Sequence, residues 1–241
     1  MSASFLKRAN IERNLRYGTL AAERLDLLKP LASNAPVLVF IHGGYWQMRA
    51  KETFSFLAAG PLAHGIHVAF VGYTLAPQKR LDGIVAEIRD AIAWLAARVE
   101  DYGGDPGRLY VSGWSAGGHL TAMSMTAPAV RGGLAISGIY DLEPIRLCYL
   151  NEKLDLDQNE ARRLSPLSNL PKRSGPLITT YGDAELPELR RQSQEFAAAR
   201  TRAGLPGRLV PLPGCNHFTI LEELASPDGA LTMLVRELVA P

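Results

Sequence analysis

Cysteine is nearly absent from this 241-residue chain, which holds Cys148 and Cys215 and no other. Two thiols make no disulfide framework and point to a reducing, cytoplasmic setting. No stretch approaches the ~20 consecutive apolar residues that a membrane span needs. The start, Met1-Ser-Ala-Ser-Phe-Leu-Lys-Arg8, lacks the apolar core of a signal peptide. An excess of one charge is missing too. The 26 basic and 24 acidic side chains leave a net +2, which gives no electrostatic case for nucleic acid or an anionic membrane. C-x-x-C, H-E-x-x-H and phosphate-loop patterns do not occur, so no metal and no cofactor are expected. Internal repeats and low-complexity tracts are likewise lacking. The expected partner is a small-molecule substrate, with no nucleic acid and no membrane, and a homodimer is left open.

What is present reads as an ordinary globule, with 47% hydrophobic and 21% charged residues. Short apolar runs alternate with helical periods. Val37 to Ile41, His67 to Val71, Leu109 to Val111, Leu134 to Ser137, Pro176 to Tyr181 and Arg208 to Leu212 read as strands, mostly buried on both faces. Arg24 to Leu28 reads as an edge strand, and residues 1–18 as charged with weak helical character. Residues 52–64, 83–102, 187–204 and the stretch after Ser226-Pro227 read as helices. The clearest period is Ile84, Ile88, Ala91, Ile92, Leu95 and Val99, at three- and four-residue steps. Alternating strands and helices imply an α/β fold, a mostly parallel sheet with helices on both faces. The chain is expected to form a single domain, 1–241. Residues 141–173, polar and interrupted by the Ser165-Pro166 pair, read as a cap-like excursion over the strand tips.

The organising stretch is Leu109-Tyr-Val-Ser-Gly-Trp-Ser-Ala-Gly-Gly118. It runs from strand through Gly113-x-Ser115-x-Gly117 into a helix-compatible segment, the context that makes G-x-S-x-G a nucleophile elbow. A serine hydroxyl needs a base within reach. His217, in the loop after the last strand, is the candidate. His119 lies one helical turn beyond the serine and is expected to pack. His42 is expected to brace its own loop, and His64 and His67 flank the amino end of a strand. The acid that orients the base is expected to be Asp183, directly after a strand, in the order Ser, Asp, His. Glu185 and Glu188 are its near rivals, and Asp141 is a more distant one. Oxyanion donors are expected from the backbone N–H of Ala116 and from the turn His42-Gly43-Gly44-Tyr45. Tyr45, Trp46, Trp114 and Tyr140 would bring aromatic surface near the serine, or else fill the core.

On these residues the chain resembles the α/β-hydrolase superfamily over nearly its full length. More narrowly it is similar to the kynurenine formamidase (arylformamidase) branch. The matching stretches are His42-Gly-Gly-Tyr-Trp46, Gly113-Trp-Ser-Ala-Gly117, Ser137 to Pro144, Asn151 to Pro166, Gln192-Ser-x-Glu-Phe196 and Asn216-His-Phe218. The resemblance implies a serine hydrolase that removes a small acyl group, formyl above all, from an arylamide. Short-chain carboxylesterase activity is the alternative. It implies Ser115 as nucleophile, Asp183 as acid and His217 as base. The N–H groups of Gly44, Tyr45 and Ala116 would form the oxyanion hole, with Tyr45, Trp46 and Tyr140 as substrate-binding aromatics. The acidic loop Asp183-Ala-Glu-Leu-Pro-Glu188 departs from the shorter aspartate-serine-proline-glutamate form of that branch.

Overall fold

The computed structural model describes residues 10–240. Eight strands form one sheet in the order β1-β2-β4-β3-β5-β6-β7-β8. They are β1 (Asn10–Arg16), β2 (Arg24–Lys29), β3 (Ala35–Ile41), β4 (His67–Val71), β5 (Gly104–Trp114), β6 (Val130–Ile136), β7 (Leu177–Gly182) and β8 (Gly207–Leu212). Strands β3 to β8 pair parallel, whereas β2 pairs antiparallel with both β1 and β4. Helices pack on a mostly parallel eight-stranded sheet, the architecture expected of the α/β-hydrolase fold.

Side-chain alternation explains why the sheet needs cover on both faces. Along β3, Val37, Val39 and Ile41 join one core cluster while Leu38 and Phe40 join the other. Along β4, Ala69 and Val71 split from Val68 and Phe70 in the same way. The first cluster is closed by the Leu81–Arg98 helix, which buries Ile84, Ile88, Ala91, Ile92 and Leu95. The second is closed by the Lys51–Ala58 turn of 3-10 helix and by the Ala230–Val239 helix, through Leu231, Leu234 and Val235. Each such side chain, fully buried, is worth about 1.5–3 kcal/mol, so both faces are committed to packing. Chemistry is left to the strand ends.

Two expectations about the elements need correction. Residues 10–16 form a strand rather than weak helix, because β1 completes the hydrogen bonding of β2 from outside; residues 1–9 lie outside the described residues. Consequently β2 is not at the edge. The 141–173 excursion carries short helices at Glu143–Arg146, Asn151–Leu154 and Gln158–Leu164. The third is fixed by a capping box between Asp157 and Glu160. Among the described residues, no helix is long and apolar enough to cross a membrane.

Candidate active site

Because β3 and β5 to β8 run the same way, their carboxyl ends share one edge of the sheet, where such folds bind ligands. The loops carrying His42, Ser115, Ser137, Glu185 and His217 all leave from it.

The elbow is built by close approach. Ser115 has φ 59 and ψ −118, a left-handed conformation rare for a side-chain-bearing residue. Its N–H is held by the Ile136 carbonyl at 2.9 Å, and its own carbonyl accepts the His119 N–H at 3.2 Å as the helix starts. A Cβ on Gly117 would sit 2.0 Å from the Ile41 carbonyl oxygen, so only glycine lets the nucleophile helix start this close to β3. The His42–Trp46 turn rests on the elbow: a Cβ on Gly43 would meet the Trp114 ring and its carbonyl at 2.6 and 2.7 Å. Gly44 (φ 115), Tyr45 (φ 52) and Trp46 (φ 60) are consecutive positive-φ residues, closed by Gln47 and Met48 N–H groups on the Gly44 carbonyl. Among the described residues, the N–H groups of Gly44, Tyr45 and Ala116 donate to no loop or turn carbonyl.

His217 is brought beside the elbow by the residue preceding the nucleophile. Trp114 Nε1–H donates to the His217 carbonyl at 2.7 Å, and the two rings lie 4.7 Å apart between centroids. His217 Nδ1 contacts Glu185 Oε2 at 3.0 Å. With Nδ1–H given to that carboxylate, the Nε2 lone pair is left to accept a proton.

That contact corrects the expected acid. Asp183 is exposed, and its Oδ1 accepts the Gly214 N–H at 2.7 Å, bracing the loop that leads to His217. The reason is the turn after β7. Glu185 N–H returns to the Gly182 carbonyl at 3.0 Å, which turns the Glu185 side chain back under the strand ends and Asp183 outward. The Glu185 side chain is 0% exposed. Its Oε1 accepts Ser137 Oγ–H at 2.5 Å and Gly182 N–H at 2.8 Å. Glu188 pairs with Arg191 and Gln192, and the Asp141 carboxylate accepts the Glu143 N–H; neither is bonded to the base.

Of the expected aromatics, Tyr45 is half-buried at the turn. Trp46 and Tyr140 are each 0% exposed, so neither offers surface to a substrate. Trp46 meets His119 edge-on at 5.0 Å, and Tyr140 stacks on Phe196 at 4.2 Å. Both spend their large apolar area on the core. The other histidines stand where the sequence puts them. His42 bonds the Gly43 carbonyl at 2.8 Å and stacks on Tyr73, whose hydroxyl donates to the His42 carbonyl. His119 bonds the Leu164 carbonyl at 2.8 Å. Burial pushes both imidazoles down to about 4, so they are neutral at pH 7. His64 bonds Pro227 and His67 bonds Gly103, away from the elbow.

The sequence alone gives no role to Ser137 and leaves Glu185, with Glu188, as a near rival of Asp183. The signal for Glu185 lay in its loop, where a carboxylate three residues beyond Gly182 can fold back onto the strand end. Ser137, the first residue after β6, has φ 49 and is fully buried, and nothing in its local sequence announces that.

Comparison with known proteins identifies the lineage. Over 94% of its length the chain is 33% identical to the kynurenine formamidase of Salmo salar, covering 81% of that protein. To the kynurenine formamidase of Danio rerio it is 34% identical, over 92% of the chain and 80% of the relative. The chain belongs to the kynurenine formamidase family. The BD-FAE family model also matches, over residues 25–133. A solved structure of a candidate thioesterase from Silicibacter sp. tm1040 superposes with a TM-score of 0.85 at 30% identity, over 94% of this chain and 85% of that one. The esterase of Pyrobaculum calidifontis, at 20% identity and a TM-score of 0.78 over 96% of this chain and 87% of that one, shares the fold. As a member of the formamidase family the protein is a hydrolase of the α/β-hydrolase type.

Proposed function

We propose that this protein is a serine hydrolase that removes a formyl group from an arylamine, with N-formylkynurenine as the representative substrate. The observation that carries the reading is the His217–Glu185 contact at 3.0 Å beside the Ser115 elbow, in a chain 33–34% identical to formamidases over more than nine-tenths of its length. Ser115 Oγ attacks the formyl carbon while His217 Nε2 takes its proton. Glu185 holds the imidazole by Nδ1 and stabilises the imidazolium. The N–H groups of Gly44, Tyr45 and Ala116 receive the developing oxyanion, each donor being worth about 3 kcal/mol. His217 then protonates the departing aniline nitrogen as the C–N bond breaks. Water, deprotonated by His217, attacks the formyl ester, and formate leaves as the proton returns to Ser115. Tyr45 is the aromatic that can face the leaving group.

A second reading, short-chain carboxylesterase, is favoured by relatives such as esterase LipC of Mycobacterium tuberculosis, 27% identical over 91% of this chain and 61% of that protein. The two part on one comparison. Formate release from N-formylkynurenine is expected to exceed hydrolysis of p-nitrophenyl acetate in kcat/KM by at least about tenfold; equal values or the reverse order favour the esterase. A cytoplasmic setting is part of the proposal, supported by Cys148 and Cys215 both being free thiols.

A further inference from the structure

The acid of the relay is itself held, and by the residue next in sequence to the one that anchors the nucleophile's backbone. Ser137 follows Ile136, whose carbonyl anchors the Ser115 N–H at 2.9 Å. The Ser137 N–H donates to the Thr180 carbonyl of β7 at 2.8 Å, and its hydroxyl donates to Glu185 Oε1 at 2.5 Å. One peptide step between β5 and β7 therefore ties the backbone of the nucleophile to the carboxylate of the acid. We propose that Ser137 is a positioning residue of the relay. Its hydroxyl, with Gly182 N–H, occupies Glu185 Oε1 so that Oε2 is presented to His217.

The physical case rests on donors. A carboxylate removed from water must find hydrogen-bond donors or take up a proton. Glu185 has three: Ser137 Oγ–H and Gly182 N–H on Oε1, and His217 Nδ1–H on Oε2. Gly182 N–H is fixed by the strand end, so Ser137 is the side-chain donor that evolution or an experimenter can remove. Tyr140 and Cys215 also lie within Coulombic reach of Glu185; burial raises both, so they are neutral near pH 7. Neither can replace the lost hydroxyl as a charge partner. Without that hydroxyl, the carboxylate holds the proton it shares with His217 more tightly.

The proposal rests on the Ser115–His217–Glu185 relay, and its test is independent of which acyl group is cleaved. Ser137→Ala removes the hydroxyl. Ser137→Gly removes it while easing the φ of 49, which glycine adopts without strain. The acid limb of kcat/KM against pH is measured with p-nitrophenyl acetate, and the low-field proton resonance of His217 Nδ1–H is titrated without substrate. Both variants are expected to lose about tenfold in kcat at unchanged KM. Both midpoints are expected to rise by about one pH unit relative to wild type. Unmoved midpoints in the folded variants, with or without a drop in melting temperature, would make Ser137 a packing residue and overturn the proposal. That result would leave the formamidase reading standing, because neither readout depends on formyl preference.

Discussion

The two ends of the relay are held by different means. At one end Ser115 is placed by backbone alone: a left-handed φ, the Ile136 carbonyl, and two flanking glycines that admit β3 to close range. At the other end Glu185 is placed by partners that reach it from separate segments, Ser137 after β6, Gly182 at the end of β7 and His217 after β8. The difference shows in the neighbours. Nothing near Ser115 could take over its position, whereas Asp183 and Glu185 lie two residues apart in one loop and only the tertiary fold chooses between them. A backbone-built position is fixed by chain geometry. A partner-built position depends on several segments arriving together.

The comparison can be broken first at the nucleophile. Ser115→Ala should abolish turnover, with a loss of about 10^6 in kcat by analogy with other serine hydrolases, and leave the fold intact. A fluorophosphonate should label Ser115 in the wild type and nothing in the variant; residual activity above about a thousandth of wild type would sink the mechanism. Next comes the backbone itself. Gly117→Ala drives a Cβ to 2.0 Å from the Ile41 carbonyl oxygen. It should cost about 3 kcal/mol or more, read as a lower denaturation midpoint, because neither strand nor helix can retreat. A variant as stable as wild type would show that the elbow is looser than its geometry implies.

A third effect, read through pH, concerns the histidines that brace the site without taking part. His42 and His119 have folded-state values of about 4, below the unfolded 6.5. Between those values the unfolded chain binds protons that the folded chain refuses, so stability is intact above pH 6.5 and falls as pH drops toward 4. The loss is on the order of 3 kcal/mol for each group by pH 4. Chemical denaturation from pH 7 to 4.5 should show this slope, and His119→Gln should flatten part of it. An equal slope in wild type and variant would mean that His119 does not carry it.

Much of the scaffold was legible because it follows local rules. Continuous apolar runs marked β3, β4 and β5, a three-and-four period marked the Leu81–Arg98 helix, and the glycines of Gly113-x-Ser115-x-Gly117 announced a tight turn. His217 emerged by exclusion, since each of the other four histidines had a better structural use, and each is found in one. The acid and the aromatics followed a different logic. Asp183 sits at the expected distance after a strand, but the fold-back onto Gly182 turns it to solvent and carries Glu185 inward. Trp46 and Tyr140 occupy motif positions beside the site, yet their rings are drawn into the core, where large apolar area is worth most. Strand β1 was missed because its pattern makes sense only against β2. What escapes a linear reading is what several segments decide together.

The central claim is that the relay runs through Glu185, and one pair of variants tests it. Glu185→Gln and Asp183→Asn are compared for kcat/KM on a single substrate, N-formylkynurenine, at pH 7.5. The account predicts a loss of about 10^4 for Glu185→Gln, through the wrong imidazole tautomer, and a change within about twofold for Asp183→Asn, an exposed residue whose Oδ1 can still accept the Gly214 N–H. A large loss confined to Asp183→Asn, with Glu185→Gln close to wild type, would contradict it.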